Sequence, residues 1–218
     1  MVMRDLKPDY ETSEVLLKGF ILKGDIAFAM EALKRMLDNG HRPSTDTFHS
    51  ILSLLLRKDG YANEAADVVQ WMLDRKILQN VDLSTNVVGK LFGNGLIERA
   101  FDLVVKVYAS GFRLNMEKLV DILCQEKKFL EARDILLFSL EKKEELDPPV
   151  FCRVIDELCS IEKASEAFDL FYKAIEEYTA GVFCSCMNSL KVALEQTGGL
   201  KEAEFVCKQI SYVKFAKK

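Results

Sequence analysis

The sequence predicts an all-α fold, a right-handed α-solenoid (superhelix) of about six helix-turn-helix repeats. An alanine recurs at intervals of 32 to 36 residues along the 218-residue chain, and in four places a glycine lies five residues before it. The alanines are Ala29, Ala65, Ala100, Ala132, Ala167 and Ala203, and the glycines are Gly24, Gly60, Gly95 and Gly198. Two series with the same period of about 35 residues are typical of a stacked repeat array.

The first repeat shows the predicted elements most clearly. Thr12 is expected to cap a first amphipathic helix, because its hydroxyl can satisfy an orphan backbone amide. Gly24 supplies a left-handed residue that ends this helix. A second apolar stripe with helical spacing begins after Asp25 and stops at Gly40 and Pro43. The recurring alanine lies in this second helix, where a methyl group allows two helices to cross closely.

The same pattern divides the remaining chain into helix pairs. The predicted repeats are residues 9–43, 44–79, 80–114, 115–146, 147–182 and 183–218. Their helices after the first pair are expected at 47–58 and 62–75, 84–92 and 96–110, 116–126 and 128–143, 148–160 and 163–178, and 182–196 and 200–212. The fourth repeat is about three residues short, which predicts a truncated first helix and irregular packing. Pro148 and Pro149 mark a helix start, where proline is tolerated.

Composition and motifs exclude several classes of protein. No apolar run approaches the roughly 18 to 20 residues of a membrane span. The two histidines and six cysteines form neither a catalytic arrangement nor a set with zinc-ligand spacing. We therefore expect a protein that is not an enzyme and carries no metal, cofactor or small-molecule substrate. Cys184 and Cys186 are expected to point to different helix faces, because they are two residues apart.

These residues resemble the pentatricopeptide repeat family, a helix-pair family of plant organelles. The resemblance rests on Lys7, Pro8, Asp9, Thr12, Leu16, Gly19, Gly24, Ala29, Met36, Gly40 and Pro43. It is strong in the first repeat, good in the second and third, and degenerate from the fourth onward. It implies a piece of a longer factor of RNA processing or editing, in the mitochondrion or the chloroplast, with the mitochondrion preferred.

Family membership implies that each repeat reads one base of single-stranded RNA with two or three side chains. The residue pairs at the matching positions are Glu14 with Ser44, His49 with Asn80, and Thr85 with Asn115. Only Thr85 with Asn115 resembles a combination that the family uses, one for adenine. The later repeats place Glu117 or Val120 with Asp147, then Cys152, then Asn188 at these positions.

The charge pattern argues against strong RNA binding. The positions that would sandwich each base hold Glu11, Asp46 and Asp82, and the formal net charge is -4. Carboxylates repel phosphates, whereas RNA affinity draws largely on cations. The basic residues Lys23, Arg57 and Lys58 near helix ends form at most a weak positive stripe on the face of the first helices.

Two main functions therefore compete. The first is a protein-interaction scaffold within an organellar RNA-processing complex, with weak or no base readout of its own. The second is a sequence-specific reader of single-stranded RNA in splicing, editing or stability. A helical-repeat adaptor unrelated to RNA is a weaker third alternative. The candidate aromatic anchors for a protein partner are Phe168, Phe171, Tyr172 and Tyr178. No membrane contact is expected.

Overall fold

The computed structural model describes the backbone of residues 9–216 and the side chains of residues 9–213. Lys7, Pro8 and the end of the expected sixth repeat lie outside these residues. Within them the chain is all-helical, in agreement with the predicted fold class. The α-helices are α1 Tyr10–Lys23, α2 Ile26–Asp38, α3 Thr45–Arg57, α4 Ala62–Asp74, α5 Val81–Gly93, α6 Ile97–Ala109, α7 Met116–Gln125, α8 Phe129–Glu141, α9 Pro148–Ser160, α10 Ala164–Glu177, α11 Cys184–Thr197 and α12 Leu200–Ala216.

The helices fall into two compact units. Helices α1 to α6 belong to the N-terminal unit, and α7 to α12 belong to the C-terminal unit. In each unit, consecutive helices pack as antiparallel pairs, and the first helix of a pair also packs on the first helix of the next pair. The alanine series lies in the second helices and is almost completely buried in every pair. This burial fits the close helix crossings that the sequence predicts.

Left-handed residues end most of the helices. Gly24 has φ 71° and donates its amide to Ile21 at the end of α1. The same turn in the fourth and fifth pairs holds Lys127 with φ 56° and Glu162 with φ 61°. The backbone therefore keeps its repeat geometry where the sequence has lost its glycine, although a Cβ makes this conformation unfavourable.

Two local predictions need correction. Asp9, and not Thr12, is the N-cap of α1, because its carboxylate accepts the Thr12 amide at 2.8 Å. A short 3-10 helix, Ala180–Phe183, stands where the last first helix was expected to begin, so α11 starts only at Cys184. Helix α7 has 10 residues against 13 or more in the other described α-helices, as the shortened fourth repeat predicts, and its apolar side chains Leu119 and Leu123 are fully buried.

Candidate nucleic-acid interface

Side chains at the starts of the first helices cap those helices. Ser44, Asn80 and Asn115 were predicted to take part in base reading. Each is the N-cap of its helix and accepts a backbone amide through its side-chain oxygen, from Thr47 at 3.2 Å, Leu83 at 3.0 Å and Lys118 at 3.0 Å, respectively. An N-cap oxygen used in this way stabilises the helix by about 1 kcal/mol. Asn80 and Asn115 remain exposed.

The partner residues in the N-terminal unit are largely withdrawn from the surface. Thr85 is fully buried, and its hydroxyl donates to the Val81 carbonyl at 2.7 Å. His49 is half-buried, and its Nε2 atom is buried without a hydrogen-bond partner among residues 9–213. These geometries present little polar surface to a base.

Glu14 is also buried, at 7% exposure, and ties two repeats together. Its carboxylate accepts the Thr47 hydroxyl at 3.0 Å and pairs with the Lys18 ammonium at 3.1 Å. Burial opposes ionisation of Glu14, but hydrogen bonds from Tyr10, Lys18 and Thr47 outweigh this effect and lower its pKa. The carboxylate therefore belongs to the contact between α1 and α3.

The C-terminal unit repeats this pattern with different chemistry. Val120 is fully buried and Cys152 is 5% exposed, so neither offers a polar group to a ligand. Glu117 accepts the backbone amide of Asp147 at 2.9 Å. Asn188 is exposed, so its side-chain amide lies at the surface.

Carboxylates occupy the exposed edge of the first helices in the N-terminal unit. Glu11, Asp46 and Asp82, the predicted base-sandwiching residues, are all exposed. A shallow cavity of about 230 Å³ lies beside Asp46, between α1 and α3, and Lys18 and Leu22 also line it. The edge is therefore acidic, with one local exception where an ammonium group borders an apolar wall.

Several basic side chains cap helices instead of lining a groove. The Lys58 ammonium donates to the Gly24 carbonyl at 3.1 Å, and the Lys90 ammonium donates to the Leu56 carbonyl at 2.9 Å. Cations at helix C-termini are stabilising because the last carbonyls are partly negative and otherwise unpaired. Lys23 is exposed, and so is Arg57, whose Nε donates to its own helix at Ser53.

Sequence reasoning missed Lys90 and the ties between neighbouring repeats. Arg99 on α6 bonds to Asn63 and Asp67 on α4. Arg153 on α9 pairs with Asp121 on α7. A spacing of about one repeat between two residues of opposite charge is the signal that could have found these pairs.

The predicted aromatic anchors are mostly structural. Phe171 is fully buried, so it has no exposed surface for a partner to contact. The Tyr178 hydroxyl is held by the backbone of Leu146, at 3.0 Å from the amide and 3.1 Å from the carbonyl oxygen. Tyr178 therefore fastens two repeats together and is not a free anchor. Phe168 packs edge-on against Phe205 of α12 with 5.9 Å between ring centroids.

Tyr172 keeps 45% of its surface exposed and is the member of this group best placed to meet a partner. A second apolar surface lies on the first helix pair, where a cavity of about 390 Å³ is lined by Leu16, Phe20, Phe28 and Met36. Tyr172 lies on α10 in the C-terminal unit, whereas this cavity lies on α1 and α2 in the N-terminal unit.

The described part of the chain holds neither a cluster of metal ligands nor a helix that could span a membrane. Among residues 9–213, no three His, Cys, Asp or Glu side chains are grouped so that they could hold a metal ion. Among residues 9–216, no helix combines the length and the apolar character that crossing a bilayer demands.

Comparison with known proteins identifies similar sequences. A family model described as "Pentatricopeptide repeat domain" matches residues 1–57. A chloroplastic pentatricopeptide repeat-containing protein of Arabidopsis thaliana is 39% identical over 163 residues, which are 75% of this chain and 23% of that protein. The large ribosomal subunit protein mL102 (rPPR5) of the same plant is 27% identical over 144 residues, covering 65% of this chain and 19% of that protein.

A solved structure shows the same fold. The pentatricopeptide repeat protein PPR10 from maize superimposes with a TM-score of 0.56 over 94% of this chain and 30% of that chain, at 17% identity. Such low identity supports the fold alone. This chain spans between 19% and 34% of the length of the curated relatives that it matches.

Proposed function

Because the chain belongs to the pentatricopeptide repeat family, we propose that it serves in organellar RNA metabolism as a protein-interaction scaffold with weak or no base readout of its own. The observation that carries this proposal is the burial of Glu14, Thr85, Val120 and Cys152 at base-reading positions. Buried side chains present no polar group at the surface for a base to contact.

The relatives support an RNA-associated role. One of them is a protein of the large ribosomal subunit, which makes a place within an RNA–protein assembly a natural role for repeats of this kind. Another is chloroplastic, which supports an organellar location without supporting the mitochondrial preference. The partner in this proposal is another protein of an RNA-processing complex, for which exposed Tyr172 is the anchor.

RNA binding by the isolated chain tests the weak readout. We expect a randomised single-stranded RNA pool and an adenine-centred oligonucleotide to bind more weakly than about 1 μM at physiological salt in a fluorescence-anisotropy titration. Nanomolar binding to the adenine-centred RNA that is lost in Thr85→Ala would contradict the proposal and establish the chain as a direct reader.

Charge reversal tests why binding is weak. Replacing Glu11, Asp46 and Asp82 together by lysine should raise the affinity for the RNA pool about tenfold or more and steepen its salt dependence, because counterion release then favours binding. The matched control replaces the exposed Asp38, Asp74 and Asp102 on the second helices, which changes the net charge equally. An equal gain in the control would show that the position of the carboxylates does not matter.

The protein partner is tested by co-purification of the tagged chain from organelle extract treated with ribonuclease. We expect a specific partner to be retained after RNA digestion and to be lost in Tyr172→Ala. Loss of every partner on digestion would contradict the scaffold role.

Direct reading of RNA remains the second candidate because of the cavity between α1 and α3. This cavity of about 230 Å³ offers the Lys18 ammonium group to a phosphate beside the apolar side chain of Leu22. If this cavity is the binding site, any RNA binding measured for the wild-type chain should be lost in the Lys18→Ala variant.

A further inference from the structure

Two buried thiols lie between α9 and α11, which are the first helices of the last two helix pairs. Cys152 lies on α9 and Cys186 lies on α11, and Cys186 is fully buried. Neither thiol is used by the proposed scaffold role. Cys184, which precedes Cys186 by two residues, is exposed on another face, so the sequence neighbours are not the pair that the fold brings together.

Two independent contacts fix the register of α9 against α11. The Phe151 ring lies 6.2 Å from the Phe183 ring, and the Ser189 hydroxyl donates to the Asp156 carboxylate. The residue numbers rise together on both helices, so the helices run parallel. Cys152 and Cys186 each lie between these two contacts along the chain, which places them within about one helical turn of each other.

The two thiols also differ in their readiness to ionise. The hydrogen bond from Cys186 and the hydrogen bond from the Ser185 hydroxyl lower the pKa of Cys152 despite its burial. The neighbouring Cys152 and burial raise the pKa of Cys186. The thiolate is the nucleophile in disulfide chemistry, so Cys152 is the attacking sulfur of this pair.

We propose that Cys152 and Cys186 form a reversible disulfide that ties the first helices of the last two repeats together. With a peroxide as the oxidant, the Cys152 thiolate attacks one oxygen, the O–O bond breaks, and the departing hydroxide takes a proton and becomes water. The Cys186 sulfur then attacks the resulting sulfenic sulfur, the S–S bond forms, and a second water leaves with the thiol proton. A dithiol reductant reverses the reaction by thiol–disulfide exchange.

The other cysteines of the chain are poorer candidates for this bond. Burial raises the pKa of Cys159 to about 11 and also raises that of Cys124, which keeps both as unreactive thiols. Cys184 and Cys207 are exposed, so oxidation of either sulfur gives a product at the protein surface and not a bond inside the fold. We therefore expect one internal disulfide bond, between Cys152 and Cys186, which closes a loop between consecutive repeats.

Peptide mapping of the full chain tests the proposal. The reduced protein is treated with equimolar hydrogen peroxide, denatured, alkylated and digested. We expect a linked peptide containing Cys152 and Cys186 to appear while Cys124 and Cys159 are still alkylated as thiols, and to disappear with dithiothreitol. The melting temperature of the oxidised monomer should rise by about 5 °C or more, because the bond restrains the unfolded chain.

Serine variants supply the controls. Cys152→Ser and Cys186→Ser should each abolish the linked peptide and the rise in melting temperature, whereas Cys159→Ser should keep both. If a serine variant loses helicity, the alanine variant at the same position replaces it. Recovery of Cys152 and Cys186 as free thiols after Cys184 and Cys207 have been oxidised would overturn the proposal. RNA and partner binding are not part of these readouts, so the result is independent of the proposed function.

Discussion

At the scale of single residues, the most informative positions are those that keep the repeat geometry without the usual residue type. Lys127 and Glu162 adopt left-handed conformations that four other repeats assign to glycine. A side chain in this conformation costs about 1 to 2 kcal/mol. The surrounding helix pair therefore imposes the turn on these residues.

Relief of this strain is measurable. Lys127→Gly should raise the free energy of unfolding by up to about 1 kcal/mol in urea titrations, because glycine tolerates positive φ. The control is Lys128→Gly, since Lys128 has φ -92° and gains nothing from the change. Equal destabilisation of the two variants would contradict the strain.

The buried carboxylate of Glu14 makes stability depend on pH. Its pKa is lowered in the folded protein from a usual value of 4.5. A lowered folded pKa means that the stabilisation is fully present above the unfolded pKa and is lost as the pH falls through the folded pKa. The melting temperature of the wild type should therefore fall between pH 5 and pH 3, at about the range where carboxylates titrate, by more than that of Glu14→Gln. A substitution of exposed Glu98 by Gln should leave the wild-type pH profile unchanged.

At the scale of helices and turns, burial of the alanine series is the central packing fact. Ala65 and Ala100 are at most 1% exposed at the crossings of their helix pairs. We expect Ala65→Leu and Ala100→Leu to lower the free energy of unfolding by about 1 to 3 kcal/mol through overpacking. Ala109→Leu on the exposed face of α6 is the control. An unchanged melting temperature in both Ala65→Leu and Ala100→Leu would contradict close packing at these crossings.

The helices were predictable because the spacing of apolar residues, glycines and alanines along the sequence indicates where each helix lies. Gly24, the alanine series and Pro148 are each read from residue type and spacing alone. The Asp9 cap and the 3-10 helix at Ala180–Phe183 were missed because several residues nearby could have served equally well as a helix start. Element boundaries depend on such local competition.

The candidate site was predictable in position but not in exposure. The repeat register locates Thr85 and Cys152, yet their burial depends on how deeply the neighbouring helices pack, which one sequence does not reveal. The same holds for Phe171 and for Tyr178, whose hydroxyl partner lies 32 residues away at Leu146. Tertiary contacts over a full repeat decide these roles.

At the scale of the whole chain, stability is distributed over neighbouring repeats. In the N-terminal unit, α1 exposes Val15, Leu16 and Leu22, whereas Val88 and Phe92 on α5 are fully buried. Segments with fewer buried apolar contacts open at lower free energy. We expect hydrogen exchange monitored by mass spectrometry to be faster for amides of α1 than for those of α5. Equal protection of the two helices would indicate a single cooperative unit.

Metal removal should have no effect on the folded chain. The described residues hold no group of three potential ligands, so chelation removes nothing that stabilises the helices. Far-ultraviolet circular dichroism and melting temperature should be the same with and without a chelator. A loss of helical signal on chelation would contradict this expectation and indicate a metal site in the chain.

The ties between repeats have an evolutionary consequence. Lys58 reaches back 34 residues to Gly24, Lys90 reaches back 34 residues to Leu56, and Arg99 reaches back 32 residues to Asp67. Loss of one repeat by recombination would bring each of these side chains to the equivalent position one repeat earlier, where Glu31 stands in register with Asp67. Because each of these three bonds spans about one period, we expect an array of such repeats to gain or lose one whole repeat without leaving these charges unpaired.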